Sequence, residues 1–217
     1  MADYVKTFGV VIKQNDVGEA DRSLTILTED YGKVHIWVGG ARRPRSKFVA
    51  CSQLFCASHF VLYQTREAFR MHSAEVTESF FALRTDLDKL NNAAYLMKLV
   101  NDGVQEGVTE GCKDILRLLL NSLHFIANTS KNPDLIVHIF EIRFLSSLGF
   151  QPRLTDDGVE VEEGHVALSE SARKSIFHII SAPMEQLFRF DVSSEVLAEL
   201  DGFCNAYVQR CMGKRYC

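Results

Sequence analysis

The sequence predicts an α+β protein in which a small five-stranded β-barrel, over residues 1–80, precedes an all-α domain over residues 81–217. Three observations support this order. Apolar residues alternate with polar ones up to about Ser79, and they recur at helical spacing after Phe80. The charge balance changes at the same point, since residues 1–80 carry ten Lys or Arg against nine Asp or Glu and residues 81–217 carry fourteen against nineteen.

Five period-two segments predict the strands of the barrel. They cover residues 8–12, 24–27, 34–38, 54–64 and 69–77. The tetrapeptide 29–32 ends in Gly32 and supplies the turn between the second and third strands. Five short strands with no helix-length segment between most of them favour a closed or partly open barrel of the OB-fold type.

Two helices are expected directly after the barrel. The first ends near Gly103 and carries an apolar stripe at three- and four-residue steps. The residues of this stripe are Leu83, Leu87, Leu90, Ala94 and Met97. The second helix, over residues 111–128, is apolar around most of its surface and is expected to be the buried centre of the helical domain.

Clear end signals mark the third helix. Asn132 is its N-cap, Pro133 lies in its first turn, and Gly149 is its C-terminal stop. Two further helices are expected over residues 169–181 and 193–212. Between them and the third helix, a short acidic hairpin is predicted at about residues 153–168, because Asp157-Gly158 is typical of a tight turn.

Composition limits the class of protein. A chain of 217 residues that is 47% hydrophobic can form real cores. The N-terminal residues 1–6 contain no signal-peptide core, and no apolar stretch reaches membrane-spanning length, so we expect a cytoplasmic protein with no membrane partner. Reduced thiols, with no zinc site and no cofactor, are expected from six cysteines that include no Cys-x-x-Cys pair.

A strongly basic segment follows the third predicted strand. Residues 31–66 contain no Asp or Glu but six Lys or Arg. Four of these cations are Arg42, Arg43, Arg45 and Lys47, and Pro44 among them keeps the segment from continuing as a helix or central strand. Concentrated positive charge of this kind predicts a loop that binds a polyanion such as nucleic acid. The alternative is a solvated basic loop balanced by acids elsewhere.

Further residues are candidates for the same interface. The additional cations are Lys33, Arg22 and Lys13, and the candidate stacking residues are Trp37 and Tyr63. Two alternatives remain open at this point. Arg22 has Asp21 and Glu19 nearby as ion-pair partners, and a single Trp in an alternating strand often packs against a core or a neighbouring domain.

The sequence carries no recognisable catalytic motif. It has no phosphate-binding Gly-x-x-x-x-Gly-Lys-Ser/Thr loop, no Gly-x-Ser-x-Gly elbow and no His-Glu-x-x-His helix, so no enzyme is expected. Two groups of residues have metal-binding side chains, but a simpler interpretation is favoured for each. The acidic residues Asp156, Asp157, Glu160, Glu162 and Glu163 fit a solvated hairpin better than a magnesium site. Cys204, Cys211 and His178 fit buried core positions better than a metal cluster.

Several segments, in order, resemble the RecO family of bacterial recombination-mediator proteins in DNA repair. In the barrel these are residues 18–22, 24–29, 32–33, 39–43 and 46–48. In the helical part they are residues 83–87, 94–96, 140–145 and 148–152, the last reading Leu-Gly-Phe-Gln-Pro. The resemblance covers most of the chain, and its specificity lies in the order and spacing of the segments.

The resemblance implies a function and a set of partners. It implies an N-terminal OB-fold that binds single- and double-stranded DNA, annealing of complementary strands, and no catalysis. The implied protein partners are RecR, the acidic C-terminal tail of the single-strand-binding protein and, indirectly, RecA. The implied location is the nucleoid. For the acidic tail, Arg117 and Arg143 are candidate receptors because both are predicted on helices rich in apolar residues, although Asp114 and Glu141 are alternative partners within the chain.

One departure from the family concerns zinc. Many members carry four cysteines after the Gly-Phe-x-Pro motif, whereas residues 153–168 contain none here. Zinc-dependent functions of such members therefore do not transfer to this chain. An alternative of a different class is a scaffold whose basic loop binds an acidic protein, and salt dependence distinguishes the two because phosphate contacts release counterions.

Overall fold

In the computed structural model, which describes residues 4–65, 69–128, 131–162, 164–214 and 216, five strands close into a barrel. The strands are β1 (Tyr4–Val17), β2 (Asp21–Thr28), β3 (Gly32–Val38), β4 (Ala57–Gln64) and β5 (Phe69–Glu78). Their order around the barrel is β1-β2-β3-β5-β4, and only the short β3–β5 pairing is parallel. This closed five-stranded barrel confirms the predicted OB-fold.

The long strand β1 belongs to both sides of the barrel. Its first half pairs with β4, from Tyr4 opposite Tyr63, and its second half pairs with β2. The register shifts between Val11 and Lys13, and such a bulge bends a strand and increases its twist. The barrel core collects the inward residues of all five strands. It contains Val11, Leu24, Ile26, Val34, Ile36, Val38, Ala41, Cys51, Cys56, Phe60, Leu62 and Met71.

A short 3-10 helix (Phe81–Arg84) and helix α1 (Leu87–Gly103) follow the barrel. The Asp86 side chain caps α1 by accepting hydrogen bonds from the backbone N–H groups of Asp88 and Lys89. The predicted apolar stripe of this helix is wrong in part, because Leu87 is 71% exposed. The buried face consists of Ala93, Leu96, Met97, Leu99 and Val100.

Helix α2 (Cys112–Asn128) is amphipathic, with Lys113, Asp114 and Arg117 exposed. Helix α3 (Pro133–Ser147) is instead buried from Leu135 to Ile142 without interruption. The prediction that the second helix is the buried centre of the helical domain is therefore wrong, since the third has that role. The predicted ends of α3 are confirmed: the Asn132 side chain accepts from the N–H of Asp134, and Gly149 adopts φ 99° after the last turn.

The remaining elements lie between residues 153 and 212. Strands β6 (Arg153–Leu154), β7 (Gly158–Val161) and β8 (Gly164–Ala167) form a small antiparallel sheet. Helices α4 (Glu170–Ser181) and α5 (Ser194–Met212) follow, and the side chains of Ser169 and Ser193 cap their first turns.

The chain divides into two compact units, Met1–Arg117 and Leu118–Cys217. The first contains the barrel, the 3-10 helix and α1, and the second contains α3, the small sheet, α4 and α5. No helix in the described ranges is both long and apolar enough to cross a lipid bilayer. Within those ranges the cysteines are free thiols.

Candidate nucleic-acid interface

The basic loop, defined as residues 39–56 between β3 and β4, is a series of turns anchored to the barrel. Gly40 adopts φ 67°, a conformation that favours glycine, and its N–H donates to Asp21 Oδ1 at 2.7 Å. The N–H of Arg42 donates to the carbonyl of Ala20 at 2.8 Å. Because Ala41, Cys51 and Cys56 are buried in the barrel core, the loop has a fixed base from which its charged part projects.

Two predicted DNA contacts, Arg22 and Arg42, share one carboxylate at this base. Arg22 Nε lies 3.0 Å from Asp16 Oδ1, and Arg42 Nε lies 3.3 Å from Asp16 Oδ2. Arg22 also donates to the carbonyl and hydroxyl of Ser52, and its side chain is only 13% exposed. The ion-pair partner of Arg22 is thus Asp16, and Arg22 supports the loop from below. The Arg42 side chain remains 36% exposed while donating to the carbonyl of Gly18.

The other three cations among residues 42–47 have surroundings that differ from those of Arg42. Arg43, Arg45 and Lys47 are exposed, and none of them forms an ion pair with a residue that the structure describes. Lys47 Nζ donates to the carbonyl of His72 at 3.2 Å and lies 5.0 Å from the centre of the Phe48 ring. These three side chains therefore keep their charge available for an anionic ligand.

Next to the loop, aromatic and basic residues form a row across four strands. Tyr4 lies opposite Tyr63, Tyr63 opposite Arg70, and Arg70 opposite Trp37. Residues directly opposite on paired strands share one face of a sheet, so the four side chains form a cross-strand row on the barrel exterior. Tyr4 is 56% exposed and Trp37 is 37% exposed, which leaves ring surface open to solvent.

An extra residue in β5 connects the cross-strand row to the basic loop. Met71 pairs with Leu62 and Ser73 pairs with Val61, so His72 is an additional residue without a partner in β4. Its carbonyl accepts the hydrogen bond from Lys47, and its ring packs edge-on against Tyr4 with 4.9 Å between ring centres. The loop cation and the exposed tyrosine therefore meet at a single residue, and the two features form one surface.

Lys33 and Lys13 lie elsewhere on the barrel. Lys33 Nζ donates to the carbonyl of Asn101 at 2.7 Å, so it satisfies a carbonyl in the last turn of α1. Lys13 is exposed and lies opposite Thr25, which in turn lies opposite His35. Lys13 is therefore in the same cross-strand row as His35, two strands away from it. His35 precedes Trp37 by two residues on β3. Arg66 lies outside the described residues.

The two arginines predicted to bind a protein partner have different surroundings. Arg143 is half-buried, and its guanidinium donates to the carbonyls of Ile179, at 3.0 Å, and Ile180. These carbonyls belong to the last turn of α4, where a cation also interacts favourably with the helix dipole. Arg117 is exposed on α2 and has a partner within the chain. Arg143 thus has a structural role in the second unit.

We expect Arg143→Met to lower the free energy of unfolding by about 1–3 kcal/mol, because two partly buried carbonyls lose their donor. Chemical denaturation followed by circular dichroism measures this loss. Arg189→Met is the matched control, since Arg189 is exposed in the same unit. Equal stability of the two variants would contradict a structural role for Arg143.

The acidic segment does not collect its carboxylates at one point. Arg153 forms an ion pair with Glu160, and Asp157 accepts hydrogen bonds from Thr155 and His165, which lower the pKa of Asp157. Glu163 lies outside the described residues. Among the described residues, the group whose ligand atoms come close enough to hold a metal ion is His138, Glu141 and Cys204, on α3 and α5.

Sequence reasoning missed three residues of the candidate interface: Tyr4, Arg70 and His72. Tyr4 precedes the first period-two segment and the other two lie in the fifth, so only the pairing of distant strands brings the three together. Of the residues in the cross-strand row, the sequence indicated Tyr63 and Trp37, which were predicted as stacking residues.

Comparisons with known proteins agree with this architecture. The family profile Recombination protein O N terminal matches residues 1–80, and Recombination protein O C terminal matches residues 84–173. A DNA repair protein RecO of Acetivibrio thermocellus is 36% identical over an alignment of 238 positions, which covers 99% of this chain and 94% of that protein. A DNA repair protein RecO of Symbiobacterium thermophilum is 29% identical over an alignment of 231 positions, which covers 92% of this chain and 89% of that protein. On this evidence, the chain belongs to the recombination protein O (RecO) family.

Proposed function

We propose that this protein is a non-enzymatic mediator of DNA repair and recombination that binds single- and double-stranded DNA through the basic loop and the cross-strand row. The observation that carries the proposal is the contact at His72, where Lys47 and Tyr4 meet. Phosphate binding needs clustered positive charge, and base binding needs exposed aromatic rings. This surface offers both within one compact unit of the chain.

Different residues of this surface would contact the phosphates and the bases of a bound strand. Arg43 and Arg45 present planar guanidinium groups, which suit phosphate oxygens, and Lys47 contributes a point charge. Tyr4 and Trp37, at the two ends of the cross-strand row, offer ring faces for unpaired bases, with Arg70 between them. Neutralising the phosphates of two complementary strands reduces their repulsion, and annealing follows from holding both strands on one protein.

Partner proteins complete the proposed function. The chain has a net charge of -4, so its affinity for DNA is expected to be lower than that of a globally basic protein. Recruitment by RecR and by the acidic tail of the single-strand-binding protein would compensate, and RecA loading on coated DNA would follow in the cytoplasm at the nucleoid. These proposed partners are taken from the RecO family to which the chain belongs. We propose α2, near Arg117, as the receptor for the acidic tail, because Arg117 is exposed whereas Arg143 is half-buried against the end of α4.

The salt dependence of DNA binding tests the proposal. The triple variant Arg43→Ala, Arg45→Ala, Lys47→Ala is expected to flatten the plot of log affinity against log salt by about 2 units for single-stranded DNA, at about 0.7 per phosphate contact. Fluorescence anisotropy of a labelled oligonucleotide across a salt series measures this slope. Arg42 is kept because it also anchors the loop.

A control variant separates a local phosphate site from net charge. Arg153→Ala, Lys174→Ala, Arg189→Ala removes three exposed cations from the second unit and should keep the natural slope. Equal flattening in both variants would contradict a site on the basic loop. Absence of DNA binding by the natural protein at low salt would instead favour the scaffold alternative, in which the same loop binds an acidic protein.

A further inference from the structure

Helices α3 and α5 bring together three buried side chains with metal-binding atoms. These are His138, Glu141 and Cys204, and one ligand atom of each lies within 4.8 Å of the others. His138 Nδ1 lies 2.9 Å from Glu141 Oε2. All three side chains are nearly inaccessible to solvent, with exposures of 6%, 5% and 1%. A polar group of this kind in an otherwise apolar core needs a specific partner.

The spacing of these residues places them on facing surfaces of the two helices. His138 and Glu141 are three residues apart on α3, and Asp201 and Cys204 are three residues apart on α5, so each pair lies on one side of its helix. Asp201 Oδ1 is 3.8 Å from His138 Nε2, which is too long for a hydrogen bond. Metal sites between packed helices use ligand pairs with this spacing.

One atom of the cluster lacks a partner. His138 Nε2 is buried and has no hydrogen-bond partner among the described residues. Buried polar atoms are nearly always paired, so a buried histidine with one unpaired ring nitrogen, whose other ring nitrogen lies beside the Glu141 carboxylate, indicates an incomplete site.

We propose that His138, Glu141 and Cys204 bind a divalent transition-metal ion, Zn²⁺, between α3 and α5. Imidazole nitrogen, carboxylate oxygen and thiolate sulfur are all zinc ligands, and a thiolate disfavours Mg²⁺ and Ca²⁺. Binding forms a Zn–S bond and releases the thiol proton of Cys204 to solvent. The two negative charges of Cys204 and Glu141 then balance the ion, which reduces the cost of burying charge.

Asp201 has a supporting role in this site. With the ion on His138 Nδ1, the ring proton lies on Nε2, and a small movement brings the Asp201 carboxylate within reach as its acceptor. Asp201 is also 63% exposed, so it lies at the boundary between solvent and the buried ligands. The fourth position of the ion is left to a water molecule.

The competing arrangement is a hydrogen-bonded network without an ion. Burial and the neighbouring Glu141 raise the pKa of Cys204 well above its usual range, so the metal-free thiol stays protonated and donates to Glu141. That network satisfies Cys204 and one nitrogen of His138 but leaves Nε2 unpaired. The two arrangements differ in whether the protein binds one ion with a bond to Cys204.

Titration with Co²⁺ tests the proposal on the full chain. The protein is stripped of metal with a chelator under reducing conditions, and Co²⁺ is added while the near-ultraviolet spectrum is recorded. We expect a thiolate-to-cobalt charge-transfer band that saturates at about one ion per chain and disappears when Zn²⁺ displaces the cobalt. Cys204→Ala should abolish this band, whereas Cys211→Ala should keep it, since Cys211 is on the same helix but outside the cluster.

A second variant protects the test against misfolding of Cys204→Ala. Asp201→Asn changes an exposed side chain and is expected to weaken Zn²⁺ binding by about 10- to 100-fold, as changes to groups that support a ligand do. Competition with the Co²⁺-loaded protein measures this affinity. Absence of the band in the natural protein, or a band that persists in folded Cys204→Ala, would overturn the proposal.

Discussion

Replacing Tyr4 and Trp37 together by Ala is expected to weaken binding of a short single-stranded oligonucleotide by about 2–6 kcal/mol, because each base stacked on an aromatic ring contributes about 1–3 kcal/mol. Both rings are exposed at opposite ends of the cross-strand row, so their removal should not disturb the barrel core. Fluorescence anisotropy at one fixed salt concentration measures the loss.

Two comparisons make this result specific to stacking. Phe81→Ala removes a ring that is 67% exposed on the 3-10 helix and should leave the affinity unchanged. The double variant should also keep the natural salt slope, since it loses no charge, whereas the loss of Arg43, Arg45 and Lys47 changes that slope. Natural affinity in the double variant would contradict the stacking role and favour packing as the role of Trp37.

Phe140→Ala is expected to lower the free energy of unfolding by about 3–5 kcal/mol, because truncation of a buried aromatic ring leaves a cavity. Phe140 is fully buried on α3 and stacks on Phe144 with 5.4 Å between ring centres. Urea denaturation followed by circular dichroism measures the change. The result tests whether α3 is the buried helix of the second unit.

The matched control is Phe177→Ala, which truncates a phenylalanine that is 58% exposed on α4. This change is expected to stay within about 0.5 kcal/mol of the natural stability. A loss below about 1 kcal/mol for Phe140→Ala would show that the site relaxes around the smaller side chain and would contradict a tightly packed α3.

Features that depend on neighbouring residues were predictable from the sequence. The ends of α3 follow from Asn132, Pro133 and Gly149, because capping and left-handed C-terminal residues act within one turn. The period-two segments likewise predicted each barrel strand. The face of α1 was less predictable, since Leu87 belongs to the predicted stripe but lies in the first turn, where it is exposed.

Features that depend on distant pairings were not predictable. The Asp16 carboxylate that holds Arg22 and Arg42 is outside the acid-free segment, and Asp21 and Glu19 were nearer in sequence to Arg22. The cluster of His138, Glu141 and Cys204 was missed for the same reason. Sequence spacing directed attention to cysteine pairs, whereas packing of α3 on α5 places Cys204 beside a histidine and a glutamate.

At His72, the presence of an extra residue in β5 matters more for the contact with the basic loop than the identity of its side chain. Its backbone carbonyl accepts from Lys47, so many residues in its place would keep that bond. Deleting it would place Met71 next to Ser73, opposite Leu62 and Val61, so the ladder would become regular and the pairs on both sides would keep their register. The chain would then lose the carbonyl that accepts from Lys47 and the ring that packs against Tyr4. A substitution at position 72 should therefore keep the hydrogen bond between Lys47 and β5, whereas a deletion should break it.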